Sequence, residues 1–452
     1  MTGPDRDDLD HLRSEGDVNL SPRRHVWAAE HIGPRTQALL EADARHFLHQ
    51  CLSTPCLNAL AKAEGAWIED VESRRYLDFH GNNVHQVGFG HPRVIAAVKH
   101  QLDELSFCAR RYTCERAIEF AQRLGEIAPG DLNRVLFAPG GTSAIGMALK
   151  LARIATGRFK FISMWDSFHG ASLDAISVGG EAVFRNGIGP LLPGCEHVAP
   201  PEPRRCPFKC GTACNLSCAD YIDYVLEKEG DVAAVMGETI RCTPVIPPAD
   251  YWKRIRAACD KHGALLILDE IPIGLGRTGR MFACEHYDVV PDMLVLGKGL
   301  GGGVFPIAAL LARESLNVAT HTALGHYTHE KNPVGCAAGL ATLDVIRDEK
   351  LVEHAAQLGD YALAKLQQMK SHHRLIGDVR GRGLLLGIEL ICDGKPATEE
   401  AERVMYGALK RGLNFKVTMG NILTLTPALT LTQEEMDQAL TILDTCIGEV
   451  EK

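Results

Sequence analysis

The sequence predicts an α/β protein: a large domain on a mixed, mostly parallel sheet, and a smaller α+β domain assembled from both chain ends. Three observations predict it. Between about residues 90 and 340, short apolar runs alternate with helical periodicity. The flanking segments lack that alternation. A chain of 452 residues also exceeds what one small core organises. Apolar strands separated by helices imply a sheet covered on both faces, with ligands beyond the carboxyl ends of its strands.

Residues 1–20, "MTGPDRDDLDHLRSEGDVNL", are acidic, lack the layout of a secretory signal and are expected to form a flexible tail. Residues 21–95 are expected to supply the N-terminal part of the small domain, with an antiparallel unit in "LNALAKAEGAWIEDVESRRYLDFHGNNVHQVGFG". "PRVIAAVKHQLDEL" places Val94, Ile95, Val98 and Leu102 on one helical face. The large domain is expected over 96–345. There "RVLFAPGGTSAIGMALKLARIAT" reads as strand, Gly-rich turn and helix, and "FKFISMWDSFHG", "DVAAVMGETI" and "GALLILDEI" read as further strands. A Cys-rich insert, 203–220, interrupts it. Residues 346–452 return to mixed strand and helix and complete the small domain.

Composition excludes several classes. The formal net charge is −9 with no long basic tract, which argues against nucleic acid. No apolar run approaches the roughly 20 residues that span a bilayer, so no membrane partner is expected. Fifteen cysteines, an odd number, point to a reducing cytoplasm and not to a disulfide framework. Four of them, Cys206, Cys210, Cys214 and Cys218, cluster in "CPFKCGTACNLSC". Four thiolates suffice for a structural zinc site or an iron–sulfur cluster. The three-residue spacing is not the usual two-residue knuckle, and Gly211 opposes one regular helix, so a surface loop with free thiols is the competing reading.

Four features converge elsewhere. Lys298 lies in "LVLGKGLGGG", between apolar runs, where a lysine is costly unless paired or chemically used. Asp269 ends an apolar strand; such a carboxylate serves as a helix cap or as partner to a protonated pyridine nitrogen. Gly140, Gly141 and Thr142 open a helix, where backbone N–H groups and a hydroxyl hold phosphate. Phe168, in "DSFHG", can stack on a planar ring or simply pack. A phosphate cradle, a stacking ring, a carboxylate and an amine are together what pyridoxal 5′-phosphate requires.

The order "GGT…SFHG…LLILDEIPIGLGRTG…PDMLVLGKGLGGG…HYTHEKNPVGCAAGLATL" resembles the class III aminotransferases, pyridoxal-phosphate enzymes of fold type I, over about residues 55 to 450. That resemblance implies a seven-stranded sheet and a homodimer. It implies Lys298 as the lysine that carries the cofactor and Asp269 as partner of the ring nitrogen. Gly141 and Thr142 would hold the phosphate, joined by Thr328 of the partner subunit. Phe168 and Ile271 would cover the two ring faces.

The departures matter as much. Aminotransferases of this family carry an arginine for the substrate carboxylate in a C-terminal motif; this chain reads "NILTLTPALTL", with Thr424 in that place. A hydroxyl cannot replace a bidentate guanidinium. Glu238 stands where the family neutralises that arginine, and Pro272 replaces a cofactor-facing glutamine. Losing the carboxylate anchor implies chemistry completed on a single substrate. The segments "FHGNNVHQVGFGHP", "RRYT" and "ALGHYTHEKNP" resemble the amino-phosphonate ammonia-lyases of the same family, which implies elimination from a small amino-hydroxy-phosphonate. A keto-acid-dependent transaminase is the alternative. Candidates for the phosphonate are Asn82, Asn83, Arg111 and Arg241, with Arg110 and His85 beside them and Glu238 of open role; His169 is expected to be a local hydrogen-bonding residue.

Overall fold

The apolar runs become three sheets in the computed structural model, which describes residues 21–210 and 214–452. The expected tail 1–20 and the break at Gly211 lie outside those residues. Strands β1 (Leu60–Glu64), β2 (Trp67–Asp70) and β3 (Arg75–Asp78) form the antiparallel unit expected near the N-terminus.

The large sheet comprises β4 (Arg134–Ala138), β5 (Lys160–Met164), β6 (Cys195–Val198), β7 (Val232–Glu238), β8 (Leu265–Asp269), β9 (Met293–Leu296) and β10 (Ala308–Ala312), in the order β4-β10-β9-β8-β7-β5-β6. Only β10 runs against its neighbours. The stretch from Gly297 to Ile307 that joins it to β9 holds one short 3₁₀ turn, Lys298–Gly301. That is too little chain for a covered crossover, so the strand must turn back. Strands β7 to β10 are apolar and buried along nearly their whole length, as a sheet covered on both faces requires. The helices Gly141–Thr156 and Pro333–Asp348 contribute eight and twelve buried residues to the layers packed around this sheet.

The chain ends meet beside it. Strands β11 (Ile376–Arg382), β12 (Leu385–Cys392), β13 (Lys395–Pro396), β14 (Leu413–Asn414), β15 (Lys416–Thr418) and β16 (Ile422–Leu425) follow in the C-terminal segment. β11, β12, β16 and β15 make an antiparallel sheet, with β13 on β12. β14 instead pairs parallel to β3, Leu413 to Leu77 and Asn414 to Asp78, and so stitches the two ends together. Trp67 Nε1 donates to Glu435 at 2.7 Å across the same seam.

One expected face is corrected. In the helix Pro92–Glu104, Val94 and Gln101 are the buried residues, while Leu102 is 50% exposed. Val94, Val98 and Gln101 follow the i, i+4, i+7 line that faces inward. Gln101 is accommodated there because its amide donates to Leu105 O at 3.2 Å.

Candidate active site

The carboxyl ends of the large sheet open into a cavity of about 380 Å³. The position follows from topology: strands β4, β5, β7, β8 and β9 all deliver their following turns to this edge. Lys298, two residues past β9, enters it from the turn that begins the connection to β10, with a φ of +46°. Asp269, the last residue of β8, and Ile271 enter beside it. From β4, Gly141 and Thr142 present the start of the helix Gly141–Thr156. From β5 come Phe168, His169 and Gly170. Lys298, Asp269, Gly141, Thr142, Phe168 and Ile271, singled out from sequence, thus share one cavity.

Asp269 is 1% exposed and both its oxygens are engaged. Oδ1 accepts from the Ile271 backbone N–H at 2.9 Å, and Oδ2 lies 2.8 Å from His169 Nδ1. His169 Nε2 is 3.5 Å from Ser163 Oγ. The expected local hydrogen-bonding histidine is therefore the residue that aims the carboxylate. Thr142 Oγ1 accepts from Ala171 N at 3.3 Å. A Cβ on Gly170 would fall 2.2 Å from that same oxygen, and one on Gly141 2.7 Å from Ile271 Cδ1. Both glycines keep a cradle open. The Phe168 ring packs on Phe184, with centroids 4.4 Å apart.

The substrate candidates divide. Asn82 and Asn83, in the 3₁₀ turn Gly81–Asn83 with φ of +47° and +57°, line the cavity. Asn83 Oδ1 is a buried acceptor with no hydrogen-bond partner. Glu238 lines it too, accepting from Phe168 N at 3.1 Å. Burial pushes its carboxyl up, and Arg241 holds it down. Arg241 and Arg111 stand apart from the cavity. Arg241 does not line the cavity: its guanidinium is ion-paired with Glu181 and lies 3.7 Å from Glu238, so its charge is committed to two buried carboxylates. Glu238, whose usual family partner is missing, has found another. Arg111 sits on an exposed turn away from the cavity, and Arg110 pairs with Glu330 at 3.2 Å. His85 is fully buried, stacked on Phe89, and also lies off the cavity. Thr328 is exposed and does not line this cavity.

The far wall was missed. It is the hairpin of β15 and β16, which contributes Lys416, Thr418 and Thr424, with Thr426 just beyond. Lys416 is directly opposite Thr424, and Thr418 Oγ1 is 2.7 Å from Thr424 Oγ1. Burial pushes the Lys416 ammonium down to about 7. The period-two alternation of "KVT" and "TLT" signals one shared face. His80 and Cys242 complete this side; burial pushes the histidine down and the thiol up to about 11.

The cysteine cluster is only partly drawn together. Cys206 Sγ lies 3.6 Å from Cys210 Sγ, which donates to Asn215 Oδ1 at 3.0 Å. Burial, then the neighbouring Cys214, push the Cys218 thiol up to about 11. Among the described residues no group of three or more His, Cys, Asp or Glu side chains is arranged to hold a metal ion.

The fold and this set of side chains define a fold-type I enzyme dependent on pyridoxal 5′-phosphate: carboxylate, lysine, ring-covering side chains and helix-start cradle fit the group. Residues 51–447 match the family model described as aminotransferase class-III, and the chain belongs to that family. Among curated relatives it is 50% identical, over 97% of this chain and 96% of the relative, to the (R)-1-hydroxy-2-aminoethylphosphonate ammonia-lyase of Vibrio splendidus. It is 35% identical, over 92% and 97%, to a leucine/methionine racemase of Thermococcus litoralis. Solved structures like it include a Bacillus anthracis aminotransferase, with TM-score 0.84 and 30% identity over 91% of this chain and 98% of that one. Another is an (S)-enantioselective omega-transaminase from Thermomicrobium roseum, with TM-score 0.85 and 28% identity over 92% and 99%.

Proposed function

We propose that this chain is a pyridoxal-phosphate-dependent ammonia-lyase converting (R)-2-amino-1-hydroxyethylphosphonate to phosphonoacetaldehyde and ammonia. The observation that carries this reading is the wall of the cavity. Thr424 occupies the place of the carboxylate-binding arginine, in a chain half identical to a lyase of that name.

When bound, the cofactor acts as an electron sink that weakens the C–H bond beside the substrate amine. The roles proposed for the chain's own residues follow from their placement. Lys298 is the amine that holds the cofactor at rest. Lys298 Nζ would then be the base that takes the proton from the aminated carbon of the substrate and the acid that delivers one to the departing hydroxyl, which leaves as water. The released enamine tautomerises and takes up water, giving the aldehyde and ammonia. Asp269, fixed by His169 and the Ile271 N–H, keeps a negative charge against the ring nitrogen. Gly141 and Thr142 would hold the phosphate, with Thr328 of the partner subunit in a homodimer, and Phe168 and Ile271 would cover the two ring faces. No disulfide joins cysteines of the described residues, which fits action in the cytoplasm. The place of the reaction is phosphonate catabolism.

The test uses purified holoenzyme and each enantiomer of the amino-phosphonate with no keto acid present, following ammonia and aldehyde over many turnovers. Sustained release from one enantiomer is expected. A single burst that only pyruvate or 2-oxoglutarate restarts would replace this reading with a transaminase, the activity named for the structural neighbours. Phosphoethanolamine, an O-phosphate ester, is offered in a parallel assay, and sustained release of inorganic phosphate from it alone would replace this reading with a phospho-lyase.

A further inference from the structure

We infer that the Glu238 carboxylate is the contact for the substrate's hydroxyl, and thereby the group that selects the enantiomer the site accepts. This rests on the lyase reading above for the identity of the ligand, while the acceptor itself belongs to the cavity whatever the reaction.

Three observations carry it. The first is an inventory of acceptors. Among the described residues that line the cavity, only Asp269 and Glu238 carry carboxylates. Asp269 is spent, one oxygen on His169 and the other on the Ile271 N–H. Glu238 is not. The Phe168 N–H, at 3.1 Å, and the Arg241 guanidinium, at 3.7 Å, both meet its Oε1. Two carboxylate oxygens offer about four acceptor sites, so Oε2 is left for an arriving donor.

The second is place. Glu238 ends β7 and pairs with Asp269, the last residue of β8, in the parallel register of the sheet. It rises from the strand ends, not from the hairpin of β15 and β16. The Cys242 thiol ties it to Lys298. Burial and then Glu238 push that thiol up, and Lys298 pulls it down, so the thiol stands within electrostatic reach of both. The substrate's amine comes to the position that Lys298 serves, and its hydroxyl is carried one carbon further on.

The third is the match of donors to acceptors. An ionised carboxylate only accepts. It repels a phosphonate dianion, which excludes that end of the substrate. The amine goes to the cofactor, and the hydroxyl is the one donor that remains. Burial pushes the Glu238 carboxyl up, against the pull of Arg241, His169 and the Phe168 N–H. An O–H that donates to it adds to that pull. So held, the hydroxyl keeps its oxygen lone pairs open to Lys298, the acid proposed for its departure. Handedness follows from the same contact. With the aminated carbon and the phosphonate fixed, exchanging hydroxyl and hydrogen on the carbon between them turns the O–H of the other enantiomer away from Glu238.

The experiment compares holoenzyme of the wild type, Glu238→Leu and Glu238→Gln. One measurement is kcat/KM for each enantiomer of the amino-phosphonate. The other is the dissociation constant, by calorimetry, of ethylphosphonate and of each enantiomer of 1-hydroxyethylphosphonate. These ligands differ only in the hydroxyl, and without an amine none of them reacts. Cofactor content and absorbance are recorded for each protein. The wild type is expected to bind one enantiomer of the hydroxylated ligand more tightly than ethylphosphonate. Glu238→Leu should weaken that enantiomer about 10- to 100-fold, the scale of one hydrogen bond to a charged group. It should not weaken ethylphosphonate, which loses only a repulsion. The kcat/KM ratio between the amino-phosphonate enantiomers should fall by a similar factor. Glu238→Gln, which keeps the shape and a neutral acceptor, should fall between, and it decides the matter if the leucine variant does not fold. Damage to the scaffold would weaken every ligand alike. An equal loss for both kinds of ligand, no loss for either, or a wild type without preference for the hydroxyl overturns the contact. If the wild type prefers the hydroxylated ligand through Glu238 yet releases no ammonia from either amino-phosphonate, the contact stands and the proposed reaction falls.

Discussion

His169 Nδ1 lies 2.8 Å from Asp269 Oδ2, with the two side chains 0% and 2% exposed. The carboxylate is therefore not free to rotate. One oxygen is held by the imidazole and the other by the Ile271 N–H. Replacing His169 by Ala leaves Oδ2 buried without that partner. The expected consequence is cofactor affinity weakened about 10- to 100-fold, the scale of one hydrogen bond to a charged group. It would be read by titrating cofactor into the apo-protein. His169→Asn, which keeps a donor on a shorter side chain, should fall between. An affinity unchanged in the alanine variant would show that Asp269 needs no orienting partner.

Gly170 carries the next prediction. Its φ of +129° disfavours any side chain, and a Cβ there would sit 2.2 Å from Thr142 Oγ1 and 3.0 Å from Thr142 Cα. Gly170→Ala is expected to cost on the order of 1–3 kcal/mol in backbone strain and to displace the hydroxyl from the phosphate cradle. Gly407→Ala is the control, because Gly407 lies within the helix Thr398–Lys410, away from the cavity, and an added methyl there meets nothing closer than 3.5 Å. Thermal melts and cofactor titration of both variants separate the two expectations. Equal behaviour would refute the cradle.

Arg241 divides what its sequence position suggests from what its surroundings demand. Its guanidinium is 7% exposed, between Glu181 and Glu238 at 0% and 6%. Arg241→Met leaves two buried carboxylates facing each other, and should destabilise the fold by about 3–5 kcal/mol. Adding Glu181→Leu should restore part of that loss, since a missing ion pair costs less than a half-broken one. In protein still folded at low temperature, KM for the amino-phosphonate should move less than about threefold, far below the loss of a direct charged contact. A large rise in KM with little change in melting temperature would return Arg241 to the substrate.

These residues show which parts of the molecule were legible beforehand. Strand and helix alternation exposed the large sheet because strands covered on both faces, such as Val232–Glu238, are written as continuous apolar runs. It could not reveal that β10 runs backwards, which depends on the length of its connection. The cofactor-facing residues were legible because each is the polar residue that ends or follows an apolar strand, and topology gathers such ends at one edge. The surroundings of Arg241 were not legible because a charge in the sequence does not announce its partner. Glu181, sixty positions upstream of Arg241, decides its role. Lys416 was overlooked for the converse reason. A lone lysine in a short strand reads as a solvated edge, and only the pairing of β15 with β16 turns it inward.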